Sequence, residues 1–276
     1  MPRKIDTTQI MTLLSEWSKD LGFEGLASGA LDLNKDHHRL LDWLKKGFHG
    51  NMNYMGHNLD KRLYPKALFP GTFSVVCVRM QYKIESIEDS SRILKDPQKA
   101  YISRYALGRD YHKTLRSRLK TLGKKLEDEI GPFGHRVFTD SAPILERALA
   151  RTAGLGWVGK NTMLIHPKMG SYFFLGELFT DLALPTTFKT LENKCGSCNK
   201  CIDICPTKAI LGPYEIDARK CISYLTIEHK EDIPIELRPL IGNRIFGCDD
   251  CQLVCPWNKY AKSSPLDDFK PRHNLG

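Results

Sequence analysis

The spacing of apolar residues predicts several amphipathic helices. After the polar segment Asp6-Thr7-Thr8, helical spacing predicts a helix over about residues 8–21, with an apolar face of Ile10, Leu13, Leu14, Trp17 and Leu21. A second helix is predicted over 36–46, with Leu40, Leu41 and Leu44 facing inward. The longest is predicted over 111–130, with a stripe of Leu115, Leu119, Leu122, Leu126 and Ile130.

Apolar runs bounded by turn residues predict strands among these helices. The run 73–80 follows the turn Phe69-Pro70-Gly71 and predicts a buried strand. Shorter strands are predicted at 135–139, 162–166 and 171–180, with a helix at about 143–153. Because helices and strands are mixed, we expect an α/β or α+β domain over residues 1–190 and a smaller domain over 191–276.

Composition is ordinary for a soluble globular protein, with 41% hydrophobic and 26% charged residues among 276. No segment approaches the roughly 18 consecutive apolar residues of a membrane span. The polar start lacks the apolar core of a secretory signal, so a cytoplasmic location is expected. The formal charge of +9 is compatible with a polyanionic partner but does not identify one.

Eight of the nine cysteines lie in the last third of the chain. Residues 195–206 have the sequence CGSCNKCIDICP, which is the C-x2-C-x2-C-x3-C-P spacing of proteins with two four-iron iron–sulfur clusters. Residues 248–256, CDDCQLVCP, repeat this pattern without its leading cysteine, and Cys221 is the natural substitute. Zinc is the alternative for paired C-x-x-C motifs, but four cysteines in eleven residues followed by proline favour clusters.

The fourth cysteine of this pattern ligates the other cluster. We therefore expect one cluster on Cys195, Cys198, Cys201 and Cys255. The other is expected on Cys205, Cys221, Cys248 and Cys251. The long insertion 206–247 distinguishes this module from a free-standing ferredoxin. Cys77 lies among valines in a predicted strand, where a buried small side chain is the favoured interpretation.

A polar segment, Thr139-Asp140-Ser141-Ala142-Pro143, lies between a predicted strand and a predicted helix. Asp140 or Ser141 has the position of a helix cap. The functional alternative makes Asp140 a proton donor, because reduction by single electrons needs a proton for the leaving oxygen. The glycines of 154–159 match a dinucleotide fingerprint by letter, but they follow a helix rather than a strand, so no nucleotide site is predicted there.

Five further motifs resemble those of the epoxyqueuosine reductases, enzymes of tRNA modification. They are RYALGRDYH (104–112), TDSAPILER (139–147), GWVGKN (156–161), GSYFFLGE (170–177) and CISYLTIE (221–228). The resemblance extends from residue 1 to about residue 260. It implies that the chain reduces the epoxide of epoxyqueuosine, at the wobble position of tRNA, to the cyclopentene of queuosine.

The resemblance also implies a cobalamin between the two domains, with one cluster near the corrin. Low-valent cobalamin would engage the epoxide carbon while Asp140 protonates the oxygen. The implied cobalamin contacts are Arg62, Ser103, Asp140, Lys160, Asn161, Ser223, Cys248 and Asp249. Ser103 stands where some members have cysteine, so a cysteine-dependent mechanism does not hold for this chain. Longer members continue into a C-terminal helical-repeat domain, beyond the point where this sequence stops.

Basic residues and tyrosines alternate between residues 99 and 125. A solvated helix face is the ordinary explanation, and contact with tRNA phosphates is the alternative. The basic residues are Lys99, Arg104, Arg109, Lys113, Arg116, Arg118, Lys120, Lys124 and Lys125, interleaved with Tyr101, Tyr105 and Tyr111.

Two other functions compete with the one implied by the resemblance. One is another cobalamin iron–sulfur reductase of the dehalogenase type, and the other is a non-catalytic two-cluster electron carrier. For the reductase, an electron donor such as a flavodoxin or ferredoxin system is expected as a partner.

Overall fold

A computed structural model describes residues 6–186, 190–273 and 275. Its helices are α1 (Thr7–Asp20), α2 (Asn34–Lys45), α3 (Leu59–Leu63), α4 (Pro65–Leu68), α5 (Ile87–Lys95), α6 (Tyr111–Ile130), α7 (Glu146–Thr152), α8 (Lys200–Ile204), α9 (Ile222–Ile227), α10 (Arg238–Ile241) and α11 (Asp250–Leu253). Its strands are β1 (Gly25–Gly29), β2 (Ser74–Gln81), β3 (Tyr101–Ile102), β4 (His135–Phe138), β5 (Trp157–Val158), β6 (Leu164–Ile165), β7 (Phe173–Thr180), β8 (Ile210–Gly212), β9 (Glu215–Ile216) and β10 (Arg244–Phe246).

The main sheet has four strands in the order β1-β2-β7-β4, and every neighbouring pair is antiparallel. Side chains of one face of the sheet pack with those of α1 and α6, for example Val76 with Leu119. The opposite face packs with α7, where Ala27 and Cys77 join Leu149. Of the two predicted classes, the structure therefore has α+β organisation, with a sheet between helical layers.

Helix boundaries follow from local capping. Asp6 accepts hydrogen bonds from the backbone N–H groups of Thr8 and Gln9, and the Gln9 side chain accepts from the Asp6 N–H, which completes a capping box before α1. The predicted helix over 111–130 has the bounds of α6, which begins after the capping side chain of Asp110 and ends at Gly131 with φ 92°.

Several sequence predictions differ from the structure. Leu41 was expected to face inward, but it is 41% exposed. The helix predicted from 143 begins only at Glu146, because residues 139–145 form a loop. The strand β1 was not predicted, because its sequence GLASG lacks the β-branched and aromatic residues typical of strands. Among the described residues, no helix has both the length and the apolarity to cross a bilayer.

The cysteine-rich part of the chain packs firmly on the first part. Tyr224 of α9 lies in a third apolar cluster with Ile222 and Ile241, against which Trp43 packs. The Trp43 indole N–H donates to the carbonyl of Ile216 at 2.7 Å, and the backbone N–H of Asn51 donates to the Tyr224 hydroxyl at 2.7 Å. The insertion 206–247 is therefore anchored to the segment around α2.

Two further connections join the first and last parts of the chain. β10 pairs in parallel with β3, so residues 244–246 lie beside residues 101–102. Asn258, which is fully buried, accepts from the Ser171 N–H at 2.6 Å and donates to the Gln252 carbonyl at 2.7 Å. Gly170, which directly precedes Ser171, has φ 63°. A Cβ at Gly170 would lie 2.1 Å from the Asn258 side chain, so only glycine allows the two segments to pack this closely.

Candidate active site and cluster-binding region

A cavity of about 230 Å³ is lined by the four cysteines expected to hold one cluster, which are Cys195, Cys198, Cys201 and Cys255. Gly196, with φ 52°, turns the chain between the first two cysteines. Cys255 comes from the second motif, and its Pro256 begins a short 3-10 helix that leads away from the cavity. The fold therefore brings together three cysteines of one motif and the last cysteine of the other, which suits the expected crossover of ligands.

The other four cysteines also lie near one another. Burial raises the pKa of the Cys251 thiol, and the nearby Cys221 and Cys205 raise it further. Burial likewise raises the pKa of Cys221, with a smaller contribution from Cys205. Cys205 accepts a hydrogen bond from the Ala209 N–H at 3.2 Å, a donor suited to a thiolate sulfur. Because iron binds thiolates, loading these sites releases protons from thiols that burial keeps neutral.

Asp140 lies in a strained and exposed position. Its φ is 52°, in the left-handed region that residues other than glycine seldom adopt, and its side chain is 53% exposed. It belongs to residues 139–145, here called the Asp140 loop, between β4 and α7. Its carboxylate accepts a hydrogen bond from the Tyr111 hydroxyl, and the His112 Nε2 atom lies 3.0 Å from the same oxygen.

His112 connects two carboxylates at the start of α6. Its Nδ1 atom lies 2.9 Å from Asp110 and its Nε2 atom 3.0 Å from Asp140, and the ring stacks on Tyr111 with 4.0 Å between centroids. Although slight burial raises the pKa of Asp110, hydrogen bonds from His112 outweigh it and lower that pKa. An ionised Asp110 fixes the imidazole, so His112 is suited to carry a proton between solvent and Asp140.

Two glutamates lie behind the Asp140 loop. Glu146, the first residue of α7, accepts a hydrogen bond from the backbone N–H of Asp140. Glu177 on β7 is fully buried, and its carboxyl group faces that of Glu146. Burial and the neighbouring Glu146 raise the pKa of Glu177 well above its usual value, while burial raises that of Glu146 to about 7.

Two tyrosines, Tyr54 and Tyr105, contact the cysteine-rich part near Asp140, and the region around them is here called the cleft. Burial raises the pKa of Tyr105 to about 12, with contributions from Asp140, Asp249 and Glu228. Burial also raises the pKa of Tyr54 to about 12, with contributions from Glu228 and Asp140, and its hydroxyl donates to Glu228 at 3.3 Å. The Tyr105 ring also lies 6.1 Å from that of Tyr111, which binds Asp140, and 6.4 Å from that of Phe246 on β10, so it joins the two parts of the chain.

Ser103 and Asp249, two of the implied cobalamin contacts, bind each other. Both are buried, and the Ser103 hydroxyl donates to Asp249. Asp249 also accepts from the Tyr101 hydroxyl at 2.9 Å and from the Arg104 N–H at 2.8 Å. Their side chains therefore join β3 to the second cysteine motif, and Ser103 is oriented toward protein rather than toward the cleft.

The remaining implied contacts occupy different surroundings. Lys160 and Asn161 line the cysteine cavity, and the Asn161 amide donates to the Cys251 carbonyl at 3.3 Å. Ser223 is partly buried on α9. Arg62 is buried; its Nη2 donates to the Tyr54 carbonyl at 3.3 Å, and its buried Nε has no hydrogen-bond partner among the described residues. Cys248 lies beside Asp250, to which its thiol donates at 3.0 Å.

The basic stretch divides into structural and exposed residues. Arg104 is buried against Glu85, and Arg118 donates to Asp268 at 2.5 Å, so both support the fold. Lys113, Arg116 and Lys120 are exposed and follow the i, i+3, i+7 spacing of one face of α6. Arg116 donates to the Ser141 hydroxyl at 3.1 Å, which brings this face next to the Asp140 loop.

His112, Glu146 and Glu177 were not singled out from the sequence, and Tyr111 was named only among the tyrosines of the basic stretch. Each lies within a motif that carried the family resemblance, namely 104–112, 139–147 and 170–177. The motifs therefore contained these residues, but the spacing of residues along the chain does not reveal that the three segments meet at Asp140.

Comparison with known proteins identifies both parts of the chain. A family model described as "4Fe-4S double cluster binding domain" matches residues 194–258, and one described as "Epoxyqueuosine reductase QueG" matches residues 62–141. The epoxyqueuosine reductase of Pseudomonas aeruginosa is 52% identical over 270 residues, which cover 98% of this chain and 74% of that protein.

Solved structures agree with the sequence matches. An epoxyqueuosine reductase bound to an epoxyqueuosine-modified tRNA-Tyr stem loop has a TM-score of 0.86 and 31% identity, covering 97% of this chain and 70% of that one. The enzyme from Bacillus subtilis, described with an aspartate catalytic loop swung out of the active site, has the same TM-score, identity and coverage. This chain therefore belongs to the epoxyqueuosine reductases, a family of oxidoreductases, and carries a double four-iron cluster binding domain.

Proposed function

We propose that this chain reduces epoxyqueuosine to queuosine at the wobble position of tRNA, with a bound cobalamin that receives electrons from two four-iron clusters. The observation that carries the proposal is that Tyr105 joins the Asp140 loop to the cysteine-bearing segment. Its ring lies 6.1 Å from that of Tyr111, whose hydroxyl binds Asp140, and 6.4 Å from that of Phe246 on β10. The relative bound to an epoxyqueuosine-modified stem loop supports the substrate.

The surroundings of the two cysteine sets support one direction of electron transfer through the clusters. The set Cys195, Cys198, Cys201 and Cys255 lines a cavity that also exposes Lys194 and Lys200. This positive rim favours a negatively charged carrier, such as a flavodoxin or ferredoxin, as the electron donor. The set Cys205, Cys221, Cys248 and Cys251 includes Cys248, which directly precedes Asp249. The Asp249 carboxylate accepts hydrogen bonds from the Tyr101 hydroxyl at 2.9 Å and from the Arg104 N–H, next to Tyr105, at 2.8 Å. Electrons would therefore enter at the first set and leave from the second.

The residues of the cleft fit a bulky polar cofactor. The Nε of buried Arg62, which has no partner among the described residues, offers a donor, and Ser223 and Cys248 are partly buried on the cysteine-bearing segment. Lys160 and Asn161 would contact the cofactor from the edge of the cysteine cavity. Ser103 and Asp249 would contribute through their backbone and by fixing the loop, since their side chains bind each other. When bound, cobalamin would supply a low-valent, strongly reducing cobalt centre for opening the epoxide.

Asp140 would give its proton to the epoxide oxygen. Overall, the epoxide takes up two electrons and two protons, its two C–O bonds break, an alkene forms and the oxygen leaves as water. The Tyr111 hydroxyl and His112 hold the Asp140 carboxyl group, and His112 would return a proton to it between the two transfers. The aspartate catalytic loop of the Bacillus subtilis relative supports a catalytic role for a loop aspartate.

The exposed face of α6 would bind tRNA phosphates. Lys113, Arg116 and Lys120 form a basic face whose middle residue contacts Ser141, next to Asp140. Phosphates bound there would place an anticodon loop near the cleft.

We also propose a division into a cobalamin- and substrate-binding domain over 1–190 and a ferredoxin-like domain with its tail over 191–276. The family-model matches at 62–141 and 194–258 fall on either side of this boundary, and residues 187–189 just before it lie outside the described residues.

Anaerobic reconstitution tests the function. The chain is loaded with iron, sulfide and cobalamin, reduced, and given tRNA that carries epoxyqueuosine, after which the nucleosides are analysed. Appearance of queuosine that depends on cobalamin is the expected result. Loading of iron without corrin binding and without queuosine would instead indicate an electron carrier.

A further inference from the structure

The Glu146 and Glu177 carboxyl groups have no role in the proposed chemistry, although they lie directly behind its proton donor. Glu177 is fully buried on β7, between Cys77 of β2 and Phe138 of β4 in the sheet register. When both glutamates are ionised, the Glu177 oxygens have no hydrogen-bond donor among the described residues. A lone buried carboxylate in such a core would be very unfavourable, so Glu177 needs either a proton or a partner.

Glu146 supplies the partner. Its carboxyl group faces Glu177 on one side and accepts the Asp140 backbone N–H on the other. A protonated Glu177 that donates to an ionised Glu146 satisfies both groups, and it leaves the charged oxygen on the side of the Asp140 loop. A charge-assisted bond to the Asp140 amide is stronger than a neutral one.

We propose that Glu146 and Glu177 share one proton at neutral pH and that this pair positions Asp140 by holding its backbone amide. This role rests on the proposed function, because it matters only if Asp140 is the proton donor. Both glutamates are positioning residues, since Glu146 binds the backbone amide of Asp140 and Glu177 is fully buried. The pair opposes the strain of φ 52° at Asp140, a conformation that needs support from its surroundings.

The charged groups around the pair agree with this distribution of the proton. The pKa of Glu146 is raised to about 7 overall: burial raises it most, the hydrogen bond from the Asp140 N–H lowers it, the Asp140 charge raises it, and the bond from Glu177 and the charge of Arg147 lower it. Glu177 keeps its proton to higher pH, and the neighbouring Cys77 thiol is neutral because burial raises its pKa. Glu146 is therefore ionised above about pH 7. Below that pH it becomes protonated, and its hydrogen bond with the Asp140 amide weakens.

Two variants of Glu177 with side chains of similar length test the proposal. Glu177→Gln keeps a donor to Glu146, whereas Glu177→Met removes it. Amide hydrogen exchange of the Asp140 loop is measured on the cluster-loaded enzyme, without cobalamin or tRNA. In Glu177→Met we expect the Asp140 amide to exchange about tenfold faster, and in Glu177→Gln at the wild-type rate. Equal exchange in Glu177→Met and wild type, or fast exchange in Glu177→Gln, would overturn the proposal.

Further measurements keep the test decisive if Glu177→Met fails to fold. Infrared spectra should show a buried protonated carboxyl band in the wild type that Glu177→Gln lacks; its presence in both would overturn the proposal. In Glu146→Gln, the protection of the Asp140 amide should no longer change between about pH 6 and about pH 8, after correction for intrinsic exchange. A change as large as in the wild type would also count against the pair.

The two proposals fail in different ways. Full turnover in Asp140→Asn would remove the proton-donor role but leave the exchange and infrared results intact. Unchanged exchange in Glu177→Met would remove the positioning pair and leave the role of Asp140 untouched.

Discussion

The Tyr101 hydroxyl donates a 2.9 Å hydrogen bond to Asp249, although the two residues are 148 positions apart. Asp249 directly follows Cys248, and Tyr101 lies on β3, so this bond ties a cysteine motif to the first part of the chain. Burial raises the pKa of Asp249, and the bonds from Ser103, Arg104 and Tyr101 oppose that rise. The four groups fix the distance between the cluster region and the cleft.

Replacing the proposed proton donor should lower turnover without changing the binding of clusters or cobalamin. Asp140→Asn keeps the shape of the side chain but cannot deliver a proton, so turnover of epoxyqueuosine tRNA should fall by about a hundredfold or more. Cluster and cobalamin absorption should match the wild type. Nucleoside analysis after single-turnover reaction measures the effect, and full activity would refute the donor role.

Removing the proton path should slow turnover without weakening tRNA binding. His112→Phe keeps the ring stacked on Tyr111 but loses both nitrogen contacts, so kcat should fall by about tenfold or more while the Kd for tRNA is unchanged. His135→Phe is a matched control, because that histidine stacks on Phe133 away from the Asp140 loop. If both variants had the same kcat, His112 would have no part in proton supply.

Charge removal on α6 should weaken tRNA binding in a salt-dependent way. Lys120→Ala removes an exposed charge of the proposed phosphate-binding face, so affinity should fall and the slope of log Kd against log salt should decrease by about one. Lys124→Ala is the control on the same helix, because Lys124 already pairs with Glu127 and Asp128. Equal losses in both variants would indicate nonspecific electrostatics.

Because of the ligand crossover, substitutions at two cysteines four residues apart should disrupt different clusters. Cys201→Ser should disturb the cluster whose ligands line the 230 Å³ cavity, and Cys205→Ser the other cluster. Electron paramagnetic resonance of the reduced variants distinguishes the two signals. If both substitutions removed the same signal, the assignment of ligands would be wrong.

The buried Glu177 should make stability depend on pH. Because its folded pKa lies well above the usual 4.5, the folded protein holds a proton that the unfolded chain releases above about that pH, and stability is lost as pH rises. Glu177→Gln removes this cost, so its Tm should exceed that of the wild type at about pH 8 and approach it near pH 5. The same change at exposed Glu129 should have no such pH dependence.

Regular elements with strong periodicity could be predicted from the sequence, and tertiary relationships could not. The leucine stripe of α6 predicted the bounds of that helix, and the valine run at 73–80 predicted β2 within one residue. β1 was missed because its glycines are tolerated only through pairing with β2. Spacing suggested the cysteine sets, whereas the meeting of His112, Glu146 and Glu177 at Asp140 depends on contacts between distant segments.

Phe269 packs in the same apolar core as residues of α1 and α6, with its ring 5.3 Å from Phe174. Its backbone also fills the space beside Gly108, where any Cβ would lie 2.5 Å from the Phe269 Cα atom. During synthesis on the ribosome, the core that α1 begins therefore stays open until residue 269 has left the exit tunnel. By then all eight clustered cysteines have left the ribosome, so cluster insertion and closure of the first core compete in time.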